Sequence, residues 1–181
     1  MNDKAKFISD LKDFIMSDGK GVLITGTHQY SKHKVIISVL NEMYKNKKIL
    51  FRSNSMNNLS NSDFVGFAGI NKQPKSNQWY KVGNNYYMFD SFNNSRTNAS
   101  RSNQFDFAIV YPIDAMIREK KYNRMYDLDS QYNLKKIFYV SWTDRSSYVY
   151  NDINDLYQNH LIYDVEQEDP EYHKRVLENV D

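Results

Sequence analysis

Between Gly26 and His33 the sequence reads GTHQYSKH, a set of side chains suited to handling anions and protons. The glycine lets the backbone approach a ligand, Lys32 brings an ammonium, and His28 and His33 titrate near neutrality. An apolar run precedes Gly26 and a helical pattern follows Ser31, so the stretch is a strand, a loop and a helix in immediate succession. The N-terminus of such a helix aims free N–H groups and the positive end of its dipole into the loop, where a phosphate is stabilised. The expected binding residues are Gly26, Thr27, His28, Ser31, Lys32 and His33, and His33 is also a candidate for acid–base work. Two histidines with no further ligand close in sequence do not make a metal site, and none is expected there.

Carboxylates form the second set of candidates. Asp90 follows YYMF, Asp114 follows AIVYPI and Asp144 follows YVSWT, each at the end of an apolar run. In an open parallel sheet the ligand crevice lies outside the carboxyl ends of the strands. There the three would meet Lys32 and His33, an arrangement suited to phosphoryl transfer or metal-assisted hydrolysis. The plainer role of an aspartate after a strand is a turn residue or helix cap, above all for Asp114.

The elements that must position these groups follow from hydrophobic periodicity. Residues 5–16 carry an apolar helical stripe, and residues 22–25 form a strand after a Ser-Asp-Gly-Lys-Gly turn. Val35, Ile36, Val39, Leu40, Met43 and Tyr44 give the next helix its inner face, and residues 48–52 read as a strand. Strand, helix and strand at this spacing make a βαβ unit with a right-handed crossover. Residues 53–61 read as loop and residues 63–67 as a short strand. Gly83-Asn84-Asn85 between aromatic and β-branched runs predicts a β-hairpin over residues 79–89. Residues 90–104 are polar and predict a mobile loop carrying Arg96 and Arg101. The run at 105–113, closed by Pro112, is a central strand. A helix over 114–126, a strand over 137–142, a short helix over 151–160, a strand over 161–165 and a helix opening at Pro170 complete the chain. The expectation is a single α/β domain over residues 1–181, three-layered, with a mostly parallel sheet, flanking helices and an inserted β-hairpin.

Taken together, GTHQYSKH in its βαβ setting, then FDFAIVYP, then KIFYVSWTD, resemble the core of the P-loop NTPases. The resemblance makes these stretches the phosphate loop (Walker A), the magnesium-holding Walker B strand and the strand after it. It departs from G-x-x-x-x-G-K-[ST] at two places, with Ser31 for the second glycine and His33 for the hydroxyl residue, and it has Tyr111 where the family carries an aspartate. The Cβ of Ser31 crowds the approach of phosphate, and neither histidine nor tyrosine replaces the hard oxygen ligands magnesium prefers. The resemblance therefore implies ATP or GTP held weakly, with magnesium disfavoured. It also implies a loop over 27–32 that departs from a phosphate cradle or holds a simple anion, and a Lys32→Ala variant that still folds.

Composition narrows the function classes. With 24 basic and 22 acidic residues the net charge is +2, which excludes a bulk electrostatic footprint for nucleic acid. There is no cysteine, hence no thiol redox chemistry or thiolate metal site. No apolar run approaches the roughly 18 residues of a membrane span, and residues 1–17 do not read as a signal peptide, so no membrane contact and a cytoplasmic location are expected. Three functions fit. The first is a degenerate, non-hydrolysing or weakly nucleotide-binding module that regulates or binds a protein partner. The second is an active NTPase, phosphotransferase or metal-dependent hydrolase using Asp90, Asp114 and Asp144. The third is a nucleic-acid-binding accessory protein using the lysine-rich first quarter and the Arg96–Arg101 loop.

Overall fold

The computed structural model describes residues 3–180. Helix α1 (Asp3–Met16) leads into strand β1 (Gly21–Thr25), helix α2 (Lys32–Met43) and strand β2 (Lys48–Ser53). Strands β3 (Tyr80–Val82) and β4 (Asn85–Ser91) form the hairpin. Strand β5 (Phe107–Val110), helices α3 (Asp114–Glu119) and α4 (Asn123–Gln131), strands β6 (Lys136–Val140) and β7 (Asn159–Ile162) and helix α5 (Pro170–Glu178) follow. The strands make a 7-stranded sheet in the order β3-β4-β2-β5-β6-β1-β7. Only β3 and β4 pair antiparallel; the other neighbours are parallel. The chain is thus an α/β fold, as its sequence predicts.

The continuous apolar runs reflect a sheet covered on both faces, because successive strand side chains point to opposite sides. Val22 and Ile24, Ile49 and Phe51, Phe107 and Ile109, Phe138 and Val140 pack with Phe7, Leu11, Ile36 and Leu40 of α1 and α2. The alternate residues Leu23, Leu50, Ala108, Val110, Ile137 and Tyr139 pack with Met116, Ile117, Met125 and Leu128 of α3 and α4. Side chains of this kind contribute roughly 1.5–3 kcal/mol each when fully buried, so the two clusters are the main source of stability. Among the described residues no helix is long and apolar enough to cross a membrane.

Four local expectations are corrected. Residues 63–67 are not a strand: the chain turns there, with Phe64 N and Gly66 N both donating to Asn61 O, and continues as a 3-10 turn over Gly66–Ala68. The helix expected over 114–126 breaks at Lys120, whose φ of 54° and bonds back to Ile117 and Met116 close α3 without a marker glycine. The helix expected over 151–160 is a 3-10 turn over Tyr150–Ile153 followed by β7. Pairing takes those residues: Gln158 bonds β1 through its backbone, and its side chain accepts from Lys20 N and Gly21 N.

The fourth correction concerns residues 90–104, which are tied down. Asp90 completes β4 and accepts two bonds from Arg52 of β2, at 2.8 and 2.7 Å, with both side chains 0% exposed. Its second oxygen also accepts from Ala99 N at 3.0 Å, Tyr132 Oη donates to Ala99 O, and Arg124 reaches Asn98.

Candidate functional site

The loop between β1 and α2 begins at Gly26, which takes φ of 117°, a region that favours glycine. A Cβ there would lie 2.3 Å from Tyr163 O, so both the conformation and the close approach of the segment after β7 require this residue. The N–H groups in the first part of the loop are already paired, while those at the start of α2 carry no side-chain cap. Gly26 N donates to Asp144 Oδ2 at 2.5 Å, Thr27 N to Asp164 Oδ1 at 2.9 Å and His28 N to Tyr163 O at 3.1 Å. The Thr27 hydroxyl donates to Asp164 as well, accepts from Val165 N and lies 2.7 Å from His173 Nδ1 of α5. Ser31 stands at φ of −116°, a conformation open to any residue, and its side chain makes no cap to α2.

Lys32 is 0% exposed. Its ammonium turns back into the loop and donates to Gly26 O and Trp142 O. Burial lowers its pKa, while Asp144, Asp114 and Asp164 pull the other way. His33, also 0% exposed, bonds Phe64 O through Nε2 at 2.7 Å and stacks on Tyr111 with ring centroids 4.0 Å apart. Since a carbonyl only accepts, Nε2 carries the proton, and Nδ1 is buried without a partner. Burial lowers the His33 pKa to about 3, so it is neutral and sealed away at physiological pH. His28 is half-buried, its pKa lowered by burial against the attraction of Glu168.

The carboxylates separate into two places. Asp114, at the start of α3, accepts from Trp142 N at 2.6 Å and from the backbone and hydroxyl of Thr143 at 2.8 and 2.9 Å. It thus holds the turn after β6 as well as opening its own helix; burial raises its pKa and those bonds oppose the rise. Asp144 accepts from Gly26 N and from Tyr150 Oη at 2.8 Å. Both lie at the carboxyl edge close enough to Lys32 to act on its charge, though it donates to carbonyls and not to them. Asp90 does not: β2 and β5 lie between its strand and β6, a separation of roughly 14 Å at about 4.8 Å per strand. A metal pair about 4 Å across cannot be shared by all three. Among the described residues no group of three or more His, Cys, Asp or Glu is arranged to hold a metal ion.

Sequence reasoning missed Asp164 and His173, which complete the loop from the far end of the chain. Asp164 sits just past β7 as the other aspartates sit past their strands, and that position was the available clue; nothing in the spacing of His173 connects it to Thr27. A cavity of about 400 Å3 lies at the opposite, amino edge of the sheet, bordered by Lys48, Arg101 and Lys135. It is remote from the loop, and its carboxylate, Asp106, is already paired with Lys47 and Lys135.

This arrangement does not fit magnesium at the loop. A phosphate in this loop would compete with Asp144 and Asp164 for the N–H groups of Gly26 and Thr27, and with two carbonyls for the Lys32 ammonium. The position expected to hold magnesium is Tyr111, whose ring lies against His33 and whose hydroxyl donates to Gln29 O at 3.3 Å.

No protein-family model matches the sequence, nor does any curated protein. The fold is similar to that of the large terminase from a thermophilic bacteriophage, solved in complex with ADP, with a TM-score of 0.54 and 11% sequence identity. The likeness covers 90% of this chain and 45% of the terminase chain, so this chain spans less than half the length of that protein. At that identity the likeness establishes a shared α/β architecture.

Proposed function

We propose that this chain is a P-loop-like α/β protein whose nucleotide site is closed by its own side chains, and that it works as a regulatory or interaction module toward a protein partner. The observation that carries this reading is the pairing of the loop: Gly26 N with Asp144, Thr27 N with Asp164, and the Lys32 ammonium with Gly26 O and Trp142 O. The fold likeness to a terminase solved with ADP supports treating the β1–α2 turn as the counterpart of a phosphate loop. The buried His33 on Tyr111 supports the absence of a magnesium site and of an acid–base group.

The test is a panel of MgATP and MgGTP measurements on the whole chain. Turnover is expected to equal that of buffer. A ligand at about 1 mM is expected to move Tm by less than about 1 °C, since stabilisation requires a concentration well above the dissociation constant. The combined Asp144→Asn and Asp164→Asn variant, which weakens the internal occupants, is expected to gain measurable pyrophosphate binding. Lys32→Met serves as the ammonium-free control. Contrary to the reading from sequence, removing this buried charge is expected to destabilise the fold by about 3 kcal/mol, because it leaves the carbonyls of Gly26 and Trp142 without their donor and removes a favourable charge near the buried Asp114. Hydrolysis by the parent chain that is lost in a folded Lys32→Met or Lys32→Arg variant overturns the proposal.

A further inference from the structure

A cavity of about 330 Å3 opens beside the closed loop, outside the ends of β2, β5 and β6, walled by Tyr30, Phe64, Tyr111 and Trp142. The residues that depart from a phosphate loop are the supports of these walls. His33 stacks on Tyr111 and bonds Phe64 O; the Tyr111 hydroxyl is fixed on Gln29 O. Trp142 is pinned on both sides, its backbone N–H by Asp114 and its carbonyl by Lys32, while the residue as a whole stays 39% exposed, with its ring centroid 5.9 Å from that of Tyr30. The aromatic faces are thus held in place by buried polar groups whose other partners are within the loop, which is how a site is made rigid before its ligand arrives.

The polar part of the cavity has one sign. Asp63 and Asn54 line it, and no lysine or arginine does so among the described residues. Asp63 is exposed and has no salt bridge or hydrogen bond among the described residues. An anion is therefore disfavoured, and a cation meets both a free carboxylate and the negative faces of aromatic rings. A flat, weakly hydrated cation suits these walls better than a compact ammonium, because it can stack on an indole while pairing with a carboxylate through two parallel N–H bonds. The volume is at the small end of ligand sites, about 300–1,000 Å3, enough for a single side-chain-sized group. We propose that this cavity binds a guanidinium group, stacked on Trp142 and paired with Asp63. This does not depend on the nucleotide reading, since it concerns a different cavity and a ligand of opposite charge.

The experiment is calorimetric titration of the whole chain, with tryptophan fluorescence as a second readout, using methylguanidine, free arginine, a capped peptide with arginine at its centre, and citrulline as the neutral isostere. Saturable binding of a guanidinium ligand is expected, with citrulline at least about tenfold weaker, the scale of a lost charge-assisted pair. Asp63→Asn, at an exposed position, is expected to fold normally and to bring arginine down to the citrulline level; Trp142→Leu is expected to weaken both. Binding of the peptide alone points to a protein partner, of free arginine alone to a small molecule, and of both to the shared group. Equal affinity for arginine and citrulline, an unchanged affinity in Asp63→Asn, or no saturation by any guanidinium ligand overturns the proposal.

Discussion

His33 shows how one substitution converts a loop position from ligand chemistry to packing. Its ring fills the space between Tyr111 and Phe64, and its buried Nδ1 has no partner, so protonation would place an uncompensated charge in the core. The folded-state pKa of about 3 lies below the ordinary 6.5. The unfolded chain therefore binds more protons in that window, and the stability tied to this group is complete above pH 6.5 and lost as pH falls toward 3. Burial also lowers the pKa of His28 and His160, which push in the same direction, while the raised pKa of Asp114 pushes against it. The contribution of His33 is isolated by comparison with His33→Phe. Denaturant unfolding at pH 6.5 and pH 4.5 is expected to show the parent losing about 2 kcal/mol more than the variant, from about 1.4 kcal/mol per pH unit. An equal loss in both would mean that His33 is solvated or charged in the fold.

Between elements, the Arg52–Asp90 pair is the connection that hydrophobic periodicity does not describe. It fixes β2 to β4 side by side and, through Ala99 N and Arg124 O, anchors the segment after β4 and the start of α4. Asp90→Asn leaves a buried guanidinium short of its counter-charge and is expected to cost about 3–5 kcal/mol, whereas Arg52→Met combined with Asp90→Leu is expected to recover most of that. Urea unfolding of the two variants measures the difference, and a double variant no better than the single one would contradict it. This pair also marks where sequence reading ends. Most of the strands, the hairpin and α2 are legible because their apolar periods and turn residues are local. Arg52 looked like the end of a strand and Asp90 like the entrance to a loop, and only the register of β2 against β4 makes them partners. The candidate site divides in the same way: Gly26, Lys32, Asp114 and Asp144 were found from their positions relative to strands. The Tyr111–His33 stack and the Asp164 and His173 contacts depend on distances no spacing encodes.

For the molecule as a whole, the strand order predicts a gradient of local stability. β2, β5 and β6 have neighbours on both sides and apolar layers above and below, while β3 and β7 are the sheet edges, and Ile162 of β7 is 58% exposed. Amide exchange is expected to be slowest in β2, β5 and β6 and at least about tenfold faster in β3 and β7, because edge strands open without disturbing either core. Uniform protection across the sheet would show that the edges are covered by something else. At the carboxyl edge, the loop after β1 is held by groups from beyond β6 and β7, so the N–H donors of Gly26 and Thr27 face carboxylates that the fold itself delivers. Such tethered groups act at an effective concentration of millimolar order or above, and they never diffuse away. A free phosphate that takes those two donors is therefore a competitor, one that displaces two intramolecular inhibitors and loosens two inter-strand connections in the same event.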